Sequence, residues 1–511
     1  MLAKVYSGAL MGVDAYKLDI EVDTSQGLPG IVVVGLPDAV VQEARERIRL
    51  AIKNSGHKVS ASRIIVNMAP ADTKKEGSAF DLPIALGILQ ATRQLDIQDE
   101  LSDYLIIGEL TLEGAVRKVK GVLSLTFLTK QLGKKGIIVP KDNINEASLV
   151  SDIEIYPVSN LIEVIEHFKG INRLKPHVPN KIIKTSNPHH HDLSDVKGHS
   201  AVKRALQIAA TGAHNVLMVG PPGSGKTMLA KRFIGLLPPL NEDEMIEVVK
   251  IYSAAGLSNH LDSILSLNKP FRHPHHSIST AGLVGGTSIP KPGEISLAHR
   301  GVLFLDELPE FKKEVLELLR QSLEDGSITI SRAKMALSYP ANFIFITAMN
   351  PCPCGFYGDR LQECKCTQTS IQKYWSKLSG PLLDRIDIQI EVPRLNEKEL
   401  QGDERRLSNA ELLDGIQTGI DRQRERLLQN SENFDYNANL TPAQTQKYCV
   451  LDSDAQKFMN KSVEKLKLSA RSYDRILRIA RTIADMAGSD NIQIPHIAEA
   501  INYRSIDRYL E

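Results

Sequence analysis

Short apolar runs and longer amphipathic stretches alternate along the first third of the chain. The apolar runs have the length of buried strands, and the stretches between them have the spacing of helices. The strand candidates are Gly30–Gly35, Arg63–Asn67 and Lys135–Pro140, and the helix candidates are Ala39–Ser55 and Asp81–Leu95. Strands that alternate with helices indicate an α/β domain, which we predict for residues 1–171.

The pattern changes further along the chain. Residues 172–192 carry prolines, asparagines and charges without periodicity, which is typical of a linker, and the histidine tract 189–191 within them is interpreted as solvated chain. The alternation of strands and helices resumes in residues 193–395, and residues 396–511 are strongly helical. We therefore predict a second α/β domain with a parallel sheet, followed by a helical C-terminal domain.

A glycine-rich loop joins a strand-like run, Asn215–Val219, to a helical stretch, Met228–Leu237. The loop fits the pattern G-x-x-x-x-G-K-[ST], with the residues Gly220, Pro221, Pro222, Gly223, Ser224, Gly225, Lys226 and Thr227. In this P-loop pattern, backbone N–H groups and the helix N-terminus surround phosphates, the lysine reaches the β- and γ-phosphates, and the hydroxyl holds Mg²⁺. We predict that the chain binds a nucleoside triphosphate with Mg²⁺.

Two further apolar runs end in polar residues that suit phosphoryl transfer. The run Gly301–Leu305 ends in Asp306 and Glu307. Asp306 is predicted to orient the Mg²⁺ shell through water, and Glu307 to polarise the attacking water. The run Asn342–Met349 ends in Asn350, which could hydrogen-bond the γ-phosphate or its water.

An arginine follows these runs, in a segment that begins with Gly380 and Pro381. Arg385 is a candidate for phosphate contact, and a local ion pair with Asp384 or Asp387 is the alternative.

Composition and charge narrow the classes of function. An apolar content of 42% and a charged content of 24% are ordinary for a soluble globular protein, and the net charge of +1 draws the chain neither to nucleic acid nor to a membrane. Any anionic partner must therefore be bound by a local patch. The sequence has no run of 18 apolar residues and no signal-peptide layout. We expect a cytoplasmic protein that does not enter a membrane.

Four of the five cysteines lie in one short segment. Cys352 and Cys354 form one C-x-C pair, and Cys364 and Cys366 form another. Four thiolates can close a tetrahedral Zn²⁺ site to water, which makes such a site structural. We favour a structural Zn²⁺, with free thiols or a redox disulfide pair as the alternatives.

The order of these motifs resembles that of AAA+ ATPases, and most of all their magnesium-chelatase-like branch. The order is P-loop, Leu-Asp-Glu, strand-terminal Asn, Leu-Leu-Asp-Arg and helical C-terminal domain. Further segments are similar to the ComM/YifB family, namely Phe271–His276, Gly282–Gly286, Pro292–His299, Asn350–Gly355, Asn67–Asp72 and Glu76–Pro83. The resemblance covers essentially the whole chain. It implies an AAA+ P-loop NTPase core, a C-terminal helical lid, and a homo-hexameric ring with ATP at the subunit interfaces.

The resemblance also implies roles for individual residues. Asn350 matches the sensor-1 position, and Arg385 matches the arginine finger that stabilises charge on the γ-phosphoryl group of a neighbouring subunit. Arg471 matches the sensor-2 arginine of the lid, with Arg475 as its nearest rival. Val196 lies in the stretch that lines the adenine pocket of these proteins.

Two insertions in the predicted core indicate the kind of substrate on which such an ATPase acts. Residues 256–300 resemble the helix-2 insert of this branch, and residues 325–341 have the pattern of two short strands around Arg332 and Lys334, where the related MCM helicases carry a pore hairpin. Six copies of these two side chains would form rings of positive charge that contact DNA phosphates without reading sequence. An ordinary solvated hairpin tip is the alternative. The histidines of the first insert are interpreted as structural or phosphate-contacting rather than metal-binding: His273, His275 and His276.

The N-terminal domain resembles the proteolytic domain of Lon protease. The segment Lys75–Ser78 is similar to the segment that carries the Lon nucleophile, so Ser78 is the candidate serine. The register of the Lon catalytic lysine falls near Leu123, and Lys118 and Lys120 are out of place. Because a serine without an adjacent base is a weak nucleophile, we predict a catalytically inactive domain that binds or organises the ring.

The resemblance implies an ATP-driven DNA translocase or helicase. In this family, that activity is branch migration on single-stranded or branched DNA during the integration of transforming DNA. Two alternatives remain open at this point, an ATP-dependent Lon-like protease and a magnesium-chelatase subunit that drives metal insertion into a porphyrin.

Overall fold

The computed structural model describes residues 2–58, 62–71, 75, 77–178, 192–257, 260–286, 291–332, 335–395, 399, 409–430, 436–466 and 468–504. Most of the predicted linker, residues 179–191 with the histidine tract, lies outside these ranges. No helix in the described ranges is long and apolar enough to cross a membrane.

Within the described residues, the strands of the N-terminal region are β1 (Ala3–Met11), β2 (Asp14–Ser25), β3 (Gly30–Val34), β4 (Arg63–Ala69), β5 (Tyr104–Ile106), β6 (Glu109–Leu110), β7 (Val116–Arg117), β8 (Gly136–Pro140) and β9 (Glu154–Val158). Seven of them form a mixed sheet in the order β3–β4–β2–β1–β5–β8–β9, and β6 pairs with β7 in a short ribbon. In β1 and β2, buried apolar residues alternate with more exposed polar ones, so one face of this antiparallel pair covers the core.

The α-helices that accompany this sheet are α1 (Ala39–Asn54), α2 (Asp81–Ala91), α3 (Gln98–Leu101), α4 (Val122–Gln131), α5 (Ile144–Ala147) and α6 (Leu161–Phe168). The side chain of Asp38 caps α1 by accepting a 2.8 Å hydrogen bond from the Val41 N–H. Every residue of α2 is buried, so this helix forms the centre of the N-terminal core. The predicted α/β class of this region is confirmed.

The strands in the part of the central region that the structure describes are β10 (Val216–Val219), β11 (Phe271–Arg272), β12 (Val302–Leu305), β13 (Ser327–Arg332), β14 (Met335–Pro340), β15 (Ile344–Met349) and β16 (Ile388–Glu391). Five form a parallel sheet in the order β11–β12–β15–β10–β16. All four residues of β10 are buried, as is typical of a strand covered on both faces. The predicted parallel sheet is confirmed, and its carboxyl ends meet at one edge.

The α-helices of the described central residues are α7 (Ser200–Gly212), α8 (Lys226–Phe233), α9 (Glu242–Ala255), α10 (Leu261–Leu265), α11 (Thr280–Val284), α12 (Glu294–Leu297), α13 (Lys313–Asp325), α14 (Gln368–Trp375) and α15 (Gly380–Leu383). β13 and β14 form a separate antiparallel hairpin between α13 and β15.

The C-terminal region is helical, as predicted, with α16 (Asn409–Asn430), α17 (Pro442–Tyr448), α18 (Ser453–Leu466), α19 (Ala470–Met486) and α20 (Ile494–Asn502). The start of α17 is fixed by a capping box, in which Thr441 and Gln444 exchange side-chain and backbone hydrogen bonds. The apolar side of α19 shares one buried cluster with α7 and with strands of the parallel sheet, so the lid is packed on the core.

The N-terminal region docks on α9 of the core. Leu123 of α4 is completely buried in a cluster with Val248, Val249 and Tyr252 of α9. Beside this cluster, the Gly121 N–H donates a 2.8 Å hydrogen bond to Oγ of Ser253. The two regions therefore share an apolar core as well as polar contacts.

Candidate active site

The glycine-rich loop lies between the end of β10 and the start of α8. Gly223 and Gly225 have φ of +78° and +89°, a backbone shape that favours glycine. A Cβ at Gly220 would lie 2.2 Å from the carbonyl oxygen of Val392, so this position also requires glycine. The loop thus turns tightly into the N-terminus of α8, where backbone N–H groups can receive an anion.

Lys226 is the first residue of α8, and its ammonium group lies at the loop. Nζ donates hydrogen bonds to the carbonyl oxygens of Gly220 (2.7 Å) and Pro221 (3.0 Å), and to Oδ1 of Asn350 (3.2 Å). Burial lowers the pKa of Lys226 to about 8, and the carboxylates of Asp306 and Glu307 oppose this shift. A phosphate here would supply the counter-charge that the lysine lacks.

Thr227 and Asp306 bring oxygen ligands to the same place. Oγ1 of Thr227 donates a 2.6 Å hydrogen bond to Oδ2 of Asp306, which directly follows β12. A hydroxyl and a carboxylate are the hard ligands that Mg²⁺ prefers. Oγ of Ser224, in the same loop, is buried and has no hydrogen-bond partner among the described residues. The donor set fits a magnesium-bound phosphate.

Glu307 has an unusual backbone conformation, and its side chain contacts a histidine. Its φ is +54°, which is uncommon for a residue with a side chain. Its Oε2 lies 3.2 Å from Nδ1 of His276, in the segment that follows β11. This pair was not predicted from the sequence, since no local pattern relates a loop histidine to a residue 31 positions later.

Arg385 lies at the opposite edge of the parallel sheet. Nδ2 of Asn215, the residue before β10, donates a 2.9 Å hydrogen bond to the carbonyl oxygen of Arg385. Gly220 follows the same strand, so roughly 16 Å of extended chain separate Asn215 from the loop. The guanidinium of Arg385 pairs with Glu324 of α13, and not with Asp384 or Asp387, which the sequence analysis held as the alternative.

Arg471 and Arg475, on α19, lie at this same opposite edge. Both guanidinium groups approach Asp384 at 4.0 Å, and Arg475 lies 3.6 Å from Asp387. Burial lowers the pKa of Arg475 to about 10, whereas Arg471 is 67% exposed. The cleft there has a volume of about 690 Å³ and includes all three arginines, Arg385, Arg471 and Arg475. The predicted finger and sensor-2 arginines thus share one cleft, away from the glycine-rich loop of their own chain.

Val196 is buried in the core beside α8. It is 2% exposed and belongs to the same buried cluster as Leu229 of α8. Its carbonyl oxygen accepts a hydrogen bond from Nζ of Lys203. Its predicted role in the adenine pocket stays a prediction.

The four clustered cysteines converge in space. Their sulfur atoms lie within 4.8 Å of one another, and they form the one group of three or more metal-type side chains of this kind in the described ranges. Backbone hydrogen bonds from Phe356 and Lys365 bring the pKa of Cys354 down to about 6, whereas desolvation raises the pKa of Cys364. Thiolates bind soft metals, so the cluster can hold a metal ion.

The cysteine segment packs on the glycine-rich loop. A Cβ at Gly355 would lie 2.7 Å from Cδ of Pro222. Arg394 stacks over the ring of Phe356 at 5.3 Å and donates a 3.3 Å hydrogen bond to the carbonyl oxygen of Pro222. The conformation of the cysteine segment therefore affects the conformation of the glycine-rich loop.

Of the two hairpin residues, Arg332 ends β13 opposite Met335 of β14. Lys334 lies outside the described residues. The hairpin itself agrees with the predicted pattern, while its contacts with DNA stay a prediction.

The Lon-like serine contacts an acidic side chain. The hydroxyl of Ser78 donates a hydrogen bond to Glu109. Leu123, in the lysine register, is buried against α9. A Cβ at Gly256 would collide with the Lys120 side chain, which therefore lies against the core.

Family models cover most of the chain. Residues 192–400 match "Magnesium chelatase, subunit ChlI", residues 20–143 match "Subunit ChlI of Mg-chelatase", and residues 407–504 match "Magnesium chelatase, subunit ChlI C-terminal". An archaeal Lon protease of Archaeoglobus fulgidus is 27% identical over 142 residues, which are 27% of this chain and 22% of the relative. Lon-like similarity is therefore present, over a limited stretch.

Two bacterial relatives match from end to end. The competence protein ComM of Haemophilus influenzae is 45% identical over 514 residues, which cover 100% of this chain and 99% of the relative. The uncharacterized protein YifB of Escherichia coli is 42% identical over 516 residues, which cover 100% of this chain and 98% of the relative. With the parallel sheet and helical lid described above, this full-length similarity shows that the chain belongs to the ComM/YifB family of magnesium-chelatase-like AAA+ proteins.

Proposed function

We propose that this protein is a cytoplasmic, ATP-driven DNA translocase that works as a homo-hexamer and promotes branch migration during the integration of transforming DNA. The name of the Haemophilus relative, a competence protein, supports the biological setting. The proposed division is a catalytically inactive Lon-protease-like domain (1–171), a linker (172–192), an AAA+ core (193–395) and a helical lid (396–511).

ATP hydrolysis is the first part of the proposal. Lys226 binds the β- and γ-phosphates, and Thr227 with Asp306 orients the magnesium ion and its waters. Bound Mg²⁺ supplies charge neutralisation on the phosphates. Glu307 accepts a proton from the attacking water, and Asn350 positions that water or the γ-phosphate. The contacts of Lys226 with Asn350 and of Thr227 with Asp306 support this assignment.

One observation carries the ring assembly. The phosphate site and the cleft of Arg385, Arg471 and Arg475 lie at opposite edges of one parallel sheet. Arginines at that distance cannot reach the nucleotide of their own subunit. These arginines can contact the nucleotide of a neighbouring subunit if the arginine cleft of one subunit faces the phosphate site of the next. In a closed ring, every nucleotide site then receives arginines from a neighbour. Arg385 then acts as the finger and Arg471 as the exposed sensor.

DNA binding is assigned to the hairpin of β13 and β14. Since the net charge is only +1, DNA must be bound by a local set of basic groups. Arg332, which ends β13, and Lys334, which comes before β14 in the sequence, provide such a set, and a ring would repeat it six times around a pore. The partner is single-stranded or branched DNA, contacted through its phosphates.

A structural zinc ion is the last part of the proposal. Cys352, Cys354, Cys364 and Cys366 would hold it in a closed tetrahedral site. The packing of the same segment on Pro222 suggests that the ion supports the nucleotide site by ordering the chain around it.

Proteolysis receives little support from the same contacts. Ser78 is paired with a carboxylate, and the lysine register is occupied by a leucine that docks the N-terminal region on α9. The magnesium-chelatase alternative would require partner subunits, whereas the end-to-end similarity is to ComM and YifB proteins.

The experiment is a comparison of ATPase rates with no DNA, duplex DNA, single-stranded DNA and a four-way junction, together with native mass spectrometry in ATP. We expect hexamers, stimulation by single-stranded or junction DNA, and junction migration that requires ATP. The Lys231→Ala variant, an exposed lysine on α8, serves as a control for changes in charge. Monomers with full activity, or an ATPase indifferent to every DNA, would contradict the proposal.

A further inference from the structure

The side chain of Asn215, the residue before β10, joins β15 to the segment that carries Arg385. Its Nδ2 donates a 2.9 Å hydrogen bond to the carbonyl oxygen of Arg385, and its Oδ1 accepts a 2.8 Å hydrogen bond from the Phe345 N–H. Because a carbonyl can only accept and an N–H can only donate, these partners fix the orientation of the amide. One half-buried side chain therefore bridges two parts of the sheet.

Two neighbouring contacts hold the segment that follows Arg385. The backbone carbonyl of Asn215 accepts a 2.9 Å hydrogen bond from the N–H of Ile388, where β16 begins. Nδ1 of His214, whose side chain is completely buried, lies 3.2 Å from Oδ2 of Asp387. The two consecutive residues before β10 thus hold the chain from Arg385 to Ile388 at three points.

The guanidinium of Arg385 is held less tightly than its backbone. It forms an ion pair with Glu324, and the two side chains are 33% and 32% exposed. Such a pair contributes little, because water screens it. The backbone therefore sets where the guanidinium lies, since a small rotation there displaces the far end of a long side chain. A displacement of about 1 Å can lower the rate of a reaction about 100-fold.

We propose that Asn215 is a positioning residue for Arg385. The amide fixes the backbone of the arginine, so that the guanidinium reaches the phosphates bound by the neighbouring subunit. Asn215 acts through this arginine alone, because it lies at the end of β10 that is away from the glycine-rich loop. The role rests on the finger function proposed for Arg385, but not on the binding of DNA.

Two substitutions separate the contacts of Asn215. Asn215→Asp keeps an acceptor for the Phe345 N–H, but it replaces the donor that faces the Arg385 carbonyl with a carboxylate oxygen. Asn215→Ala removes both contacts and adds no charge. Asn460→Asp, at an exposed position of α18, adds the same charge elsewhere and is the control. Each variant is measured alone and combined with Arg385→Ala, for kcat, KM, binding of a fluorescent ATP analogue and thermal unfolding.

Both substitutions of Asn215 should lower kcat about tenfold or more and leave analogue affinity nearly unchanged, because the loop that binds ATP is intact. Combined with Arg385→Ala, they should lower kcat by less than about twofold further, because the arginine through which Asn215 acts is already gone. Asn460→Asp should behave as the parent. Equal losses with and without Arg385, or parental kcat in both variants, would overturn the proposal. A loss confined to Asn215→Asp would be an effect of charge and would overturn it as well.

Mixed rings locate the defect within the interface. Asn215→Ala subunits should recover part of their activity with Glu307→Gln subunits, which supply an intact finger. They should recover none with Arg385→Ala subunits, because both then lack a working finger. The opposite pattern would place the defect in the nucleotide site of the variant subunit and would contradict the positioning role.

The positioning role and the translocase function can fail separately. If no DNA stimulates the parent enzyme but the losses at Asn215 and Arg385 are not additive, the translocase function is wrong and the positioning role stands. If DNA stimulates the parent and Arg385→Ala lowers kcat, but the losses are additive, the positioning role is wrong and the translocase function stands. Parental turnover in Arg385→Ala would overturn the finger and the positioning role together.

Discussion

Nζ of Lys226 donates a 3.2 Å hydrogen bond to Oδ1 of Asn350, so the first residue of α8 and the residue after β15 face the same space. Strands β10 and β15 are parallel neighbours, and their carboxyl ends therefore deliver both side chains to one edge. Asp306 follows β12, the strand next to β15 in that sheet. The order of the parallel strands therefore brings the candidate catalytic residues together, although they lie far apart in the sequence.

Lys226 and Glu307 should affect different steps. Lys226→Ala should weaken ATP binding roughly tenfold or more, because a charge-assisted contact to phosphate is lost. Glu307→Gln should bind ATP normally and turn over at least about 100-fold more slowly, because only the activation of water is removed. Analogue binding and single-turnover hydrolysis measure the two effects. Near-parental turnover in Glu307→Gln would refute the role assigned to that residue.

Arg385 should act on the nucleotide of a neighbour. Arg385→Ala rings should hydrolyse ATP slowly, whereas Glu324→Gln, which removes only the partner within the subunit, should remain active. Mixing Arg385→Ala subunits with Glu307→Gln subunits should restore part of the activity, because some interfaces in mixed rings combine an intact finger with an intact glutamate. The absence of recovery at every ratio, in rings shown to be mixed, would count against action in trans.

The cysteine segment should carry metal. Elemental analysis should find about one zinc per chain in the parent and much less in Cys364→Ser, since a tetrahedral site needs all four sulfurs. Cys449→Ser, which alters the buried cysteine outside the cluster, should keep its zinc. Metal loss should also lower ATPase activity, because the segment packs on Pro222. Protein prepared without oxygen and free of metal would rule the site out.

The docking of the N-terminal region can be tested at Leu123. Leu123→Lys would force a long charged side chain into the buried cluster with α9 and should lower the free energy of unfolding by about 3 kcal/mol or more. Leu112→Lys, at a position that is 52% exposed, should change it little. Urea unfolding measures both. Equal stability of the two variants would show that Leu123 does not hold the regions together.

Local signals in the sequence were enough for the nucleotide loop and for the cysteine cluster. The glycine positions, the flanking apolar run and the spacing of the cysteines are all short-range, and the structure shows a loop of that shape and four sulfurs within 4.8 Å. Strands β1 and β2 were not predicted, because Lys4, Tyr6, Lys17 and Asp19 interrupt their apolar residues on the exposed face.

Contacts between residues that are far apart in the sequence could not be predicted from the sequence pattern. The resemblance gave Arg385 and Arg471 their roles, but only the direction of the parallel strands puts both at the edge opposite the glycine-rich loop. The pair of His276 and Glu307 depends on how the insert folds back beside β12, which neither periodicity nor spacing records. Similarly, Leu123 was identified as the wrong residue for proteolysis, while its use as a docking residue required the position of α9.

The assignment of DNA binding depends on the hairpin. If Arg332 and Lys334 line a pore, replacing both with alanine should lower DNA affinity and make the affinity less dependent on salt, because fewer counterions are released from the phosphates. Basal ATP hydrolysis should stay close to that of the parent, and the loss should be similar for all DNA sequences. The double variant Lys312→Ala/Lys313→Ala removes the same charge from the exposed start of α13 and serves as the control.

Fluorescence anisotropy at several salt concentrations and a junction-migration assay measure these effects together. The hairpin variant should lose both affinity and migration, and the α13 control should lose neither. If both variants bind and migrate a junction as the parent does, the hairpin is not the DNA contact. The basic groups would then have to be sought in the 256–300 insert, which packs on the same hairpin through Gly285 and Ile330.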